Sequence, residues 1–199
     1  MAEKIIGVLA LQGDFEAHQK ALARAGARGV EVRTAADLEA VDALIIPGGE
    51  STTMLKLLQD EGLLEPLRRF GERRPIFGTC AGAILLASRV THPAQESLGL
   101  MDIEVERNAY GRQLESHVAK IEAEEGPLEA VFIRAPVIRR VGPSVRVLAR
   151  YKGDPVLVQQ GRHMAATFHP ELTDDDRVHR RFLNSIPSGN GGAVCPPRP

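Results

Sequence analysis

The sequence predicts an α/β protein with one three-layer domain, in which helices flank a mostly parallel central sheet and the second half adds an antiparallel extension. Two observations support this fold class. Short apolar runs alternate with segments of helical periodicity in the first half of the chain. From about residue 99 to 168, the segments are strand-like and joined by turns. The length of 199 residues suits a single core, so we expect residues 1–186 to form one domain and the Gly/Pro-rich residues 187–199 to form a disordered tail.

The pattern of the first half predicts strands that alternate with helices. "KIIGVLA" predicts a strand, and "DFEAHQKALARAGARG" predicts a helix that ends on glycine. "GVEVRT" and "DALIIPGG" predict strands, the second as an unbroken apolar run typical of a sheet covered on both faces. "STTMLKLLQDEGLLEPLRRFGE" predicts one helix and a second after Gly62, and "RPIFGT" predicts a strand that leads into the helix "CAGAILLAS". This alternation indicates a parallel sheet.

The second half favours strands until its last helix. Its strand-like segments are "GLMDIEVER", "QLESHVAKIEA", "AVFIRAP", "VRVLARY", "PVLVQQGR" and "HMAATFHPE". The acidic "TDDDR" then opens the helix "RVHRRFLNSI", with Thr173 or Asp174 predicted as its N-cap.

Composition argues against several functional classes. Hydrophobic residues make up 43% of the chain and the formal net charge is -1, so no global attraction to nucleic acid or to an acidic membrane is expected. The first apolar stretch is too short to span a bilayer and lacks a signal-peptide cleavage pattern, so we expect a cytoplasmic location. Cys80 and Cys195 do not suggest a disulfide framework, and Cys80 is expected to be a free thiol. Phosphate-loop, dinucleotide and paired-cysteine metal motifs are absent from the sequence, so we predict no metal and no cofactor.

The stretch "GTCAG" places Cys80 between a predicted strand and a predicted helix, the context of a nucleophile elbow. Glycines at positions 78 and 82 would allow a sharp turn, and the helix N-terminus would favour the thiolate. The N–H of Ala81 could then bind a developing oxyanion. The alternative is a buried cysteine that packs as a small hydrophobe, and the pattern alone leaves both open.

The stretch "FHPE" supplies a base and an orienting acid. Pro170 favours an extended backbone at His169, and residues two apart in an extended segment face the same way. Glu171 could therefore fix the tautomer of His169 as it takes the thiol proton. The alternative is a solvated loop, but together with the elbow the pair favours a catalytic triad. The other five histidines lack an acid in this relation.

Five further stretches have an ordinary structural explanation, and the first of them also has a functional one. In "IIPGGES", Gly48 or Gly49 could complete an oxyanion hole, or the stretch could be an ordinary turn with Ser51 as N-cap. "ERN" and "IRAP" each place an arginine near a strand end, which by itself suggests only surface charge. The basic stretches "RRF" and "RVHRRF" are expected to be solvated helix faces.

Taken together, these motifs resemble a known family. "GTCAG" followed by "HPE" is similar to the class I, or triad-type, glutamine amidotransferases. "LALQG", "PGGESTTM", "FGTCAGAILLA", "VERNAYGRQ", "VFIRAP" and "FHPEL" occur in the order found in the glutaminase subunits of pyridoxal 5'-phosphate synthase, across about residues 5–185. "GNGGAVCPPRP" in the tail has no counterpart and leaves Cys195 without a role.

The resemblance implies a function and a set of site residues. Residues 1–186 would be a glutaminase domain that hydrolyses L-glutamine to L-glutamate and ammonia through a thioester, with no metal or cofactor. The ammonia would pass to the barrel subunit of pyridoxal 5'-phosphate synthase in a hetero-oligomer. The implied catalytic residues are Cys80, His169 and Glu171. The implied glutamine-binding residues are Gly48, Gly49, Glu50, Arg107, Ile133 and Arg134, with Gly49 and Ala81 at the oxyanion and Gln12 near the partner subunit.

Two competing hypotheses remain at this point. One is a different elbow hydrolase, such as a cysteine peptidase or a stress-response α/β protein. An amino-acid substrate needs an acid for its amine and basic or backbone partners for its carboxylate, so Glu50, Arg107 and Arg134 favour the glutaminase. The other is a non-catalytic binding or regulatory subunit that has kept the fold, which an intact triad argues against.

Overall fold

The structure, a computed structural model, describes residues 4–109 and 116–187. The helices are α1 (Phe15–Arg24), α2 (Ala35–Glu39), α3 (Ser51–Asp60), α4 (Leu64–Arg73), α5 (Ala81–Leu86) and α6 (Arg177–Ser185). The strands are β1 (Ile5–Leu9), β2 (Arg28–Val32), β3 (Ala43–Ile46), β4 (Ile76–Thr79), β5 (Ala87–Thr91), β6 (Met101–Glu106), β7 (His117–Ala123), β8 (Leu128–Phe132), β9 (Val137–Val141), β10 (Arg146–Tyr151), β11 (Asp154–Gln160) and β12 (His163–Ala166).

The strands of the described residues form a large sheet and a small one. The large sheet has the order β2-β1-β3-β4-β12-β11-β10-β7-β8. Its first five strands pair in parallel, and the last four continue it with antiparallel pairing. The α/β fold class with a mostly parallel core and an antiparallel extension is thereby confirmed.

Helices cover both faces of the large sheet because its central strands are apolar on both sides. In β3, Leu44 and Ile46 belong to one hydrophobic cluster, which contains side chains of α3, α4 and α5. Ala43 and Ile45 belong to the other cluster, which contains side chains of α1 and α6. Successive residues of a strand point to opposite faces, so one unbroken apolar run packs against two helical layers.

Several elements differ from the sequence prediction. The prediction missed α2, β5 and β9, and it treated the strands of the second half as one antiparallel extension. Instead, β5, β6 and β9 form the separate small sheet, with β5 parallel to β6. The helix predicted for "CAGAILLAS" is short, because its chain passes directly into β5 at Ala87.

The predicted start of the last helix is also wrong. The helix α6 begins at Arg177 after Asp176, whose side chain makes no capping hydrogen bond. Thr173 instead ends a short 3-10 helix, Pro170–Leu172, and Asp174 lies between the two helices. Of the predicted tail, residues 188–199 lie outside the described residues.

The strand order brings three loops together. The strands β3, β4 and β12 are parallel neighbours, with Ile46 paired to Gly78 and Ala166 paired to Thr79. Parallel neighbours end at the same edge of a sheet, so the segments that follow them meet there. These segments carry Gly48, Cys80 and His169.

Candidate active site

Cys80 lies in a sharp turn between β4 and α5. Its backbone adopts φ 50 and ψ -103, a conformation that non-glycine residues rarely adopt. The backbone N–H of Cys80 donates to the carbonyl of Ala166 in β12 at 2.8 Å, which fixes the turn to the neighbouring strand. Cys80 is 6% exposed and is a free thiol.

The two glycines beside Cys80 have no room for a side chain. A Cβ on Gly78 would lie 2.5 Å from the backbone carbonyl carbon of Gly82, and a Cβ on Gly82 would overlap the carbonyl of Ile46. The turn therefore requires glycine at both positions, as the sequence predicted.

His169 and Glu171 form a close pair behind the cysteine. His169 Nδ1 lies 2.8 Å from Glu171 Oε1, and both residues are buried. The sequence placed this pair in an extended segment, but Glu171 lies within the 3-10 helix that starts at Pro170. The pair forms nevertheless because the tight turn brings the carboxylate back to the ring.

The surroundings of His169 favour its protonated form. Burial alone would lower the pKa of this imidazole, but the nearby Cys80 sulfur and the hydrogen bond to Glu171 outweigh burial and raise the pKa to about 10. Burial opposes ionisation of Glu171 as well, yet the imidazoles of His18 and His169 hold the pKa of its carboxyl below the ordinary value. An imidazolium between a sulfur and a carboxylate is the arrangement that stabilises a thiolate.

A cleft of about 360 Å³ opens in front of Cys80. Most of the predicted site residues line it, and those that do are Gln12, Gly49, Glu50, Cys80, Arg107, Ile133, Arg134 and His169. Gly48 and Glu171 lie behind the cleft, against the ring of His169. Ala81 is buried at the first position of α5.

Gly49 lines the cleft, and Gly48 lies directly behind it. A Cβ on Gly48 would overlap the ring of His169 and lie 3.3 Å from Cys80 Cβ. Gly49 has a φ of 150, and a Cβ there would overlap the side-chain amide of Gln12. Gln12 Oε1 also accepts a hydrogen bond from the backbone N–H of Glu50 at 3.2 Å. The side chain of Gln12 therefore holds the backbone that follows the two glycines.

Glu50, rather than Ser51, is the N-cap of α3. Its carboxylate accepts hydrogen bonds from the backbone N–H groups of Thr52 at 3.0 Å and Thr53 at 2.7 Å, and from the Thr53 hydroxyl at 2.8 Å. Partial burial opposes ionisation, but these hydrogen bonds lower the pKa of Glu50 to about 2. The cleft therefore carries a fixed negative charge at this point.

The two arginines also line the cleft. Arg107 Nη2 donates to Thr52 Oγ1 at 2.6 Å and lies 3.3 Å from Glu50 Oε1. Arg134 is exposed and has a φ of 43. The carbonyl of Ile133, directly before it, faces Cys80 Sγ at 3.9 Å.

Residues on both sides of the triad were not predicted from the sequence. Ser51, Ile84 and Asn108 also line the cleft. His18, which has no acid two residues after it in the sequence, lies with its Nε2 3.4 Å from Glu171 Oε2. No local sequence signal could have found this contact, because the two residues lie in distant parts of the chain.

Some predictions about the site fall outside what the structure describes. Residues 110–113 of "VERNAYGRQ" and Cys195 lie outside the described residues. The oxyanion roles of Gly49 and Ala81 stay predictions. In residues 4–109 and 116–187, no cluster of three or more His, Cys, Asp or Glu side chains is placed to hold a metal ion. Within the same ranges, no helix has both the length and the apolar character needed to cross a membrane.

Comparison with known proteins gives a consistent result. The model of the SNO glutamine amidotransferase family matches residues 8–188. The pyridoxal 5'-phosphate synthase subunit PdxT of Solibacter usitatus is 60% identical over 191 residues, which cover 92% of this chain and all of that protein. The PdxT subunit of Koribacter versatilis is 57% identical and covers 94% of this chain and 98% of its own length.

Solved structures agree with these matches. A crystal structure of a glutamine amidotransferase superposes with a TM-score of 0.86 at 51% identity, and the match covers 91% of this chain and 98% of that one. The structure of PurLQS from Thermotoga maritima has a TM-score of 0.73 at 16% identity, over 94% of this chain and 100% of that one. The second likeness is one of fold alone.

Proposed function

Because the chain belongs to the SNO glutamine amidotransferase family, we propose that it hydrolyses L-glutamine to L-glutamate and ammonia and supplies the ammonia to pyridoxal 5'-phosphate synthase. The observation that carries the proposal is the strained Cys80 beside the His169–Glu171 pair, at the base of a cleft with a fixed negative charge and two arginines. That combination serves acyl transfer on an amino-acid substrate.

The cleft offers complementary charges to free glutamine. The carboxylate of Glu50 is ionised and its side chain is 56% exposed, so it can bind the α-ammonium group of the substrate. Arg107 and Arg134 can bind the α-carboxylate. With both ends of the amino acid held, the side-chain amide can reach Cys80 at the base of the cleft.

In the first step, the thiolate of Cys80 attacks the amide carbon and forms a tetrahedral intermediate. The oxyanion would be stabilised by the backbone N–H groups of Gly49 and Ala81. The imidazolium of His169 then gives its proton to the amide nitrogen. The carbon–nitrogen bond breaks, ammonia leaves, and a thioester of Cys80 remains.

In the second step, water hydrolyses the thioester. Neutral His169 takes a proton from the water, whose oxygen attacks the carbonyl carbon, and glutamate leaves as the carbon–sulfur bond breaks. The thiolate–imidazolium pair is restored. Glu171 keeps the Nδ1–H of His169 directed away from the sulfur in both steps.

The ammonia needs a partner protein. In bulk water ammonia becomes ammonium and is no longer a nucleophile, so it must pass directly to the enzyme that consumes it. Relatives named as subunits of pyridoxal 5'-phosphate synthase support a hetero-oligomer with the barrel subunit of that synthase. Gln12, whose side chain holds the Gly49–Glu50 backbone, would lie near this partner. The cytoplasmic location expected from the sequence remains a prediction.

The test uses the chain assembled with its cognate synthase subunit. We expect Cys80→Ala to abolish ammonia release from glutamine, and a diazo-oxo glutamine analogue to label Cys80 in the unchanged chain. Cys195→Ala is the matched control, which removes the other thiol of the chain and should keep full activity. Glutaminase activity that survives Cys80→Ala contradicts the proposal, and peptide cleavage without glutamine turnover would favour a peptidase instead.

A further inference from the structure

A chain of buried polar side chains runs from the triad into the core between α1, β4 and α6. Glu171 Oε2 lies 3.4 Å from His18 Nε2, which also lies 3.1 Å from Thr79 Oγ1. His18 Nδ1 in turn lies 3.1 Å from His179 Nε2. His18, Thr79 and His179 are 0% exposed, and Glu171 is 4% exposed. The reaction steps derived above use only Glu171 among these residues.

We propose that His18 is a positioning residue of the reaction. Its Nε2–H, shared between Glu171 Oε2 and Thr79 Oγ1, holds the triad carboxylate ionised and oriented, and His179 fixes the tautomer that places a proton there. The inference rests on the proposed function in that the triad is taken to be catalytic.

The second carboxylate oxygen of Glu171, Oε2, needs a polar neighbour. Oε1 is occupied by His169, whereas Oε2 is buried and has no hydrogen bond within the described residues. A buried carboxylate oxygen without a polar contact disfavours ionisation. His18 Nε2 lies 3.4 Å from this oxygen, outside hydrogen-bond geometry, so its N–H acts on the carboxylate only as a nearby positive dipole.

Both histidines behind the carboxylate are neutral. Burial lowers the pKa of His18 despite the attraction of Glu171, and His169 lowers it further while Asp14 opposes. Burial also lowers the pKa of His179, to about 3, with His18 acting in the same direction. The charges that face His179 are Glu171, Arg24 and Asp176, and they do not reverse this effect.

Two neutral imidazoles can share their protons in two ways. If His179 donates from Nε2 to His18 Nδ1, then His18 carries its proton on Nε2, towards Glu171 and Thr79. If the donation runs the other way, His18 turns a lone pair towards an anionic oxygen, and His179 holds a proton on Nδ1. That Nδ1 is buried without a partner in the described residues, and an unpaired buried donor is costly. The first arrangement is therefore the stable one.

The cluster also reaches the nucleophile. Thr79 is the last residue of β4 and directly precedes Cys80, so the same N–H that faces Glu171 contacts the strand end that carries the sulfur. His18 thus links helix α1 to the residue before Cys80 by a hydrogen bond and to Glu171 by a 3.4 Å contact.

The test is the pH profile of Cys80 alkylation by iodoacetamide, followed by mass spectrometry of the Cys80 peptide in the full chain. His18→Met fills the site with an apolar side chain of similar length and removes the N–H. A less stabilised Glu171 supports the imidazolium less well, so the thiolate forms at higher pH and the midpoint rises by about one pH unit. His18→Gln keeps an N–H at the corresponding position and should return the midpoint towards that of the unchanged chain.

A second variant tests the direction of the proton. Thr79→Val keeps the shape of the side chain and removes the acceptor that competes for the His18 N–H. The whole hydrogen bond is then available to Glu171, so the alkylation midpoint should move to lower pH. An upward shift, or none, overturns the proposal, and this variant decides if His18→Met does not fold.

A buried histidine away from the triad provides the control. His163 Nδ1 accepts a hydrogen bond from the backbone N–H of Ile76 at 3.2 Å. His163→Met should leave the midpoint unchanged. The proposal is wrong if the alkylation midpoint of His18→Met equals that of the unchanged chain. It is also wrong if the midpoints of His18→Met, His18→Gln and His163→Met all shift by the same amount. If the unchanged chain assembled with the synthase releases no ammonia, the proposed function fails while the alkylation profiles still decide this inference.

Discussion

The substitution Glu171→Gln removes one negative charge from the triad and keeps the shape of the side chain. In the structure, Glu171 Oε1 accepts the Nδ1–H of His169 at 2.8 Å inside a buried site. The amide oxygen of glutamine can accept the same hydrogen bond, so the ring should stay in place. What the substitution removes is the negative charge that stabilises the imidazolium of His169.

The free energy that this charge contributes can be estimated from its hydrogen bond to His169. Hydrogen bonds to charged groups contribute about 1.5 to 3 kcal/mol, and about 1.4 kcal/mol corresponds to a factor of ten. We therefore expect kcat/KM for glutamine to fall by about 10- to 100-fold. The pKa of His169, raised to about 10 in the structure, should fall by about one to two pH units, because a neutral amide favours the imidazolium less than a carboxylate does.

The assay is ammonia release from glutamine by the assembled complex between pH 6 and about 10.5. The fall of kcat/KM at high pH reports the pKa of His169. Glu39→Gln is the matched control, because Glu39 is an exposed carboxylate paired only weakly with Arg73 at 3.4 Å. The proposed role of Glu171 is refuted if Glu171→Gln retains more than half of the activity and the basic limb of its pH profile stays near pH 10.

Gly48→Ala should lower kcat by about 100-fold with a small change in melting temperature, because the new Cβ overlaps the ring of His169 and must displace it. Wild-type kcat in a folded Gly48→Ala chain would contradict the packing described here. The protein should also lose stability as the pH falls below 6.5, because burial lowers the pKa of His163 to about 4 and that of His179 to about 3, so the unfolded chain binds more protons. For His163 this amounts to about 3 kcal/mol at pH 4, and urea titrations of His163→Gln should show a correspondingly flatter pH profile.

Much of the fold could be predicted from local patterns. The apolar run at 43–46 indicated a strand covered on both faces, and the structure buries all four of its residues. The missed elements are those with weak local signals. The helix α2 has only five residues, and β5 follows α5 without a turn to mark the change. Periodicity needs several turns of helix to be visible, so such short elements depend on their packing.

The candidate nucleophile and its base could also be identified from the sequence. The glycines at 78 and 82 are required by close backbone contact. Such a steric requirement is visible in the sequence, because only glycine satisfies it. The structure brings the side chains of the predicted pair His169 and Glu171 together, although the backbone differs from the predicted one. Three residues of 3-10 helix and a short extended segment can each bring side chains two positions apart together, and the sequence does not distinguish them.

The sequence by itself determined which reactive groups the chain contains. These are a thiol on a tight turn, an imidazole with an acid two residues later, and glycines where the backbone must approach closely. The tertiary structure decided which of these groups meet. The strand β12 returns from the antiparallel extension to lie beside β4, and only this crossover places His169 next to Cys80. The same packing brings His18 of α1 to the far side of Glu171. Periodicity and turn signals report on neighbours a few residues apart, whereas contacts across the sheet depend on strand order and on which helix covers each face.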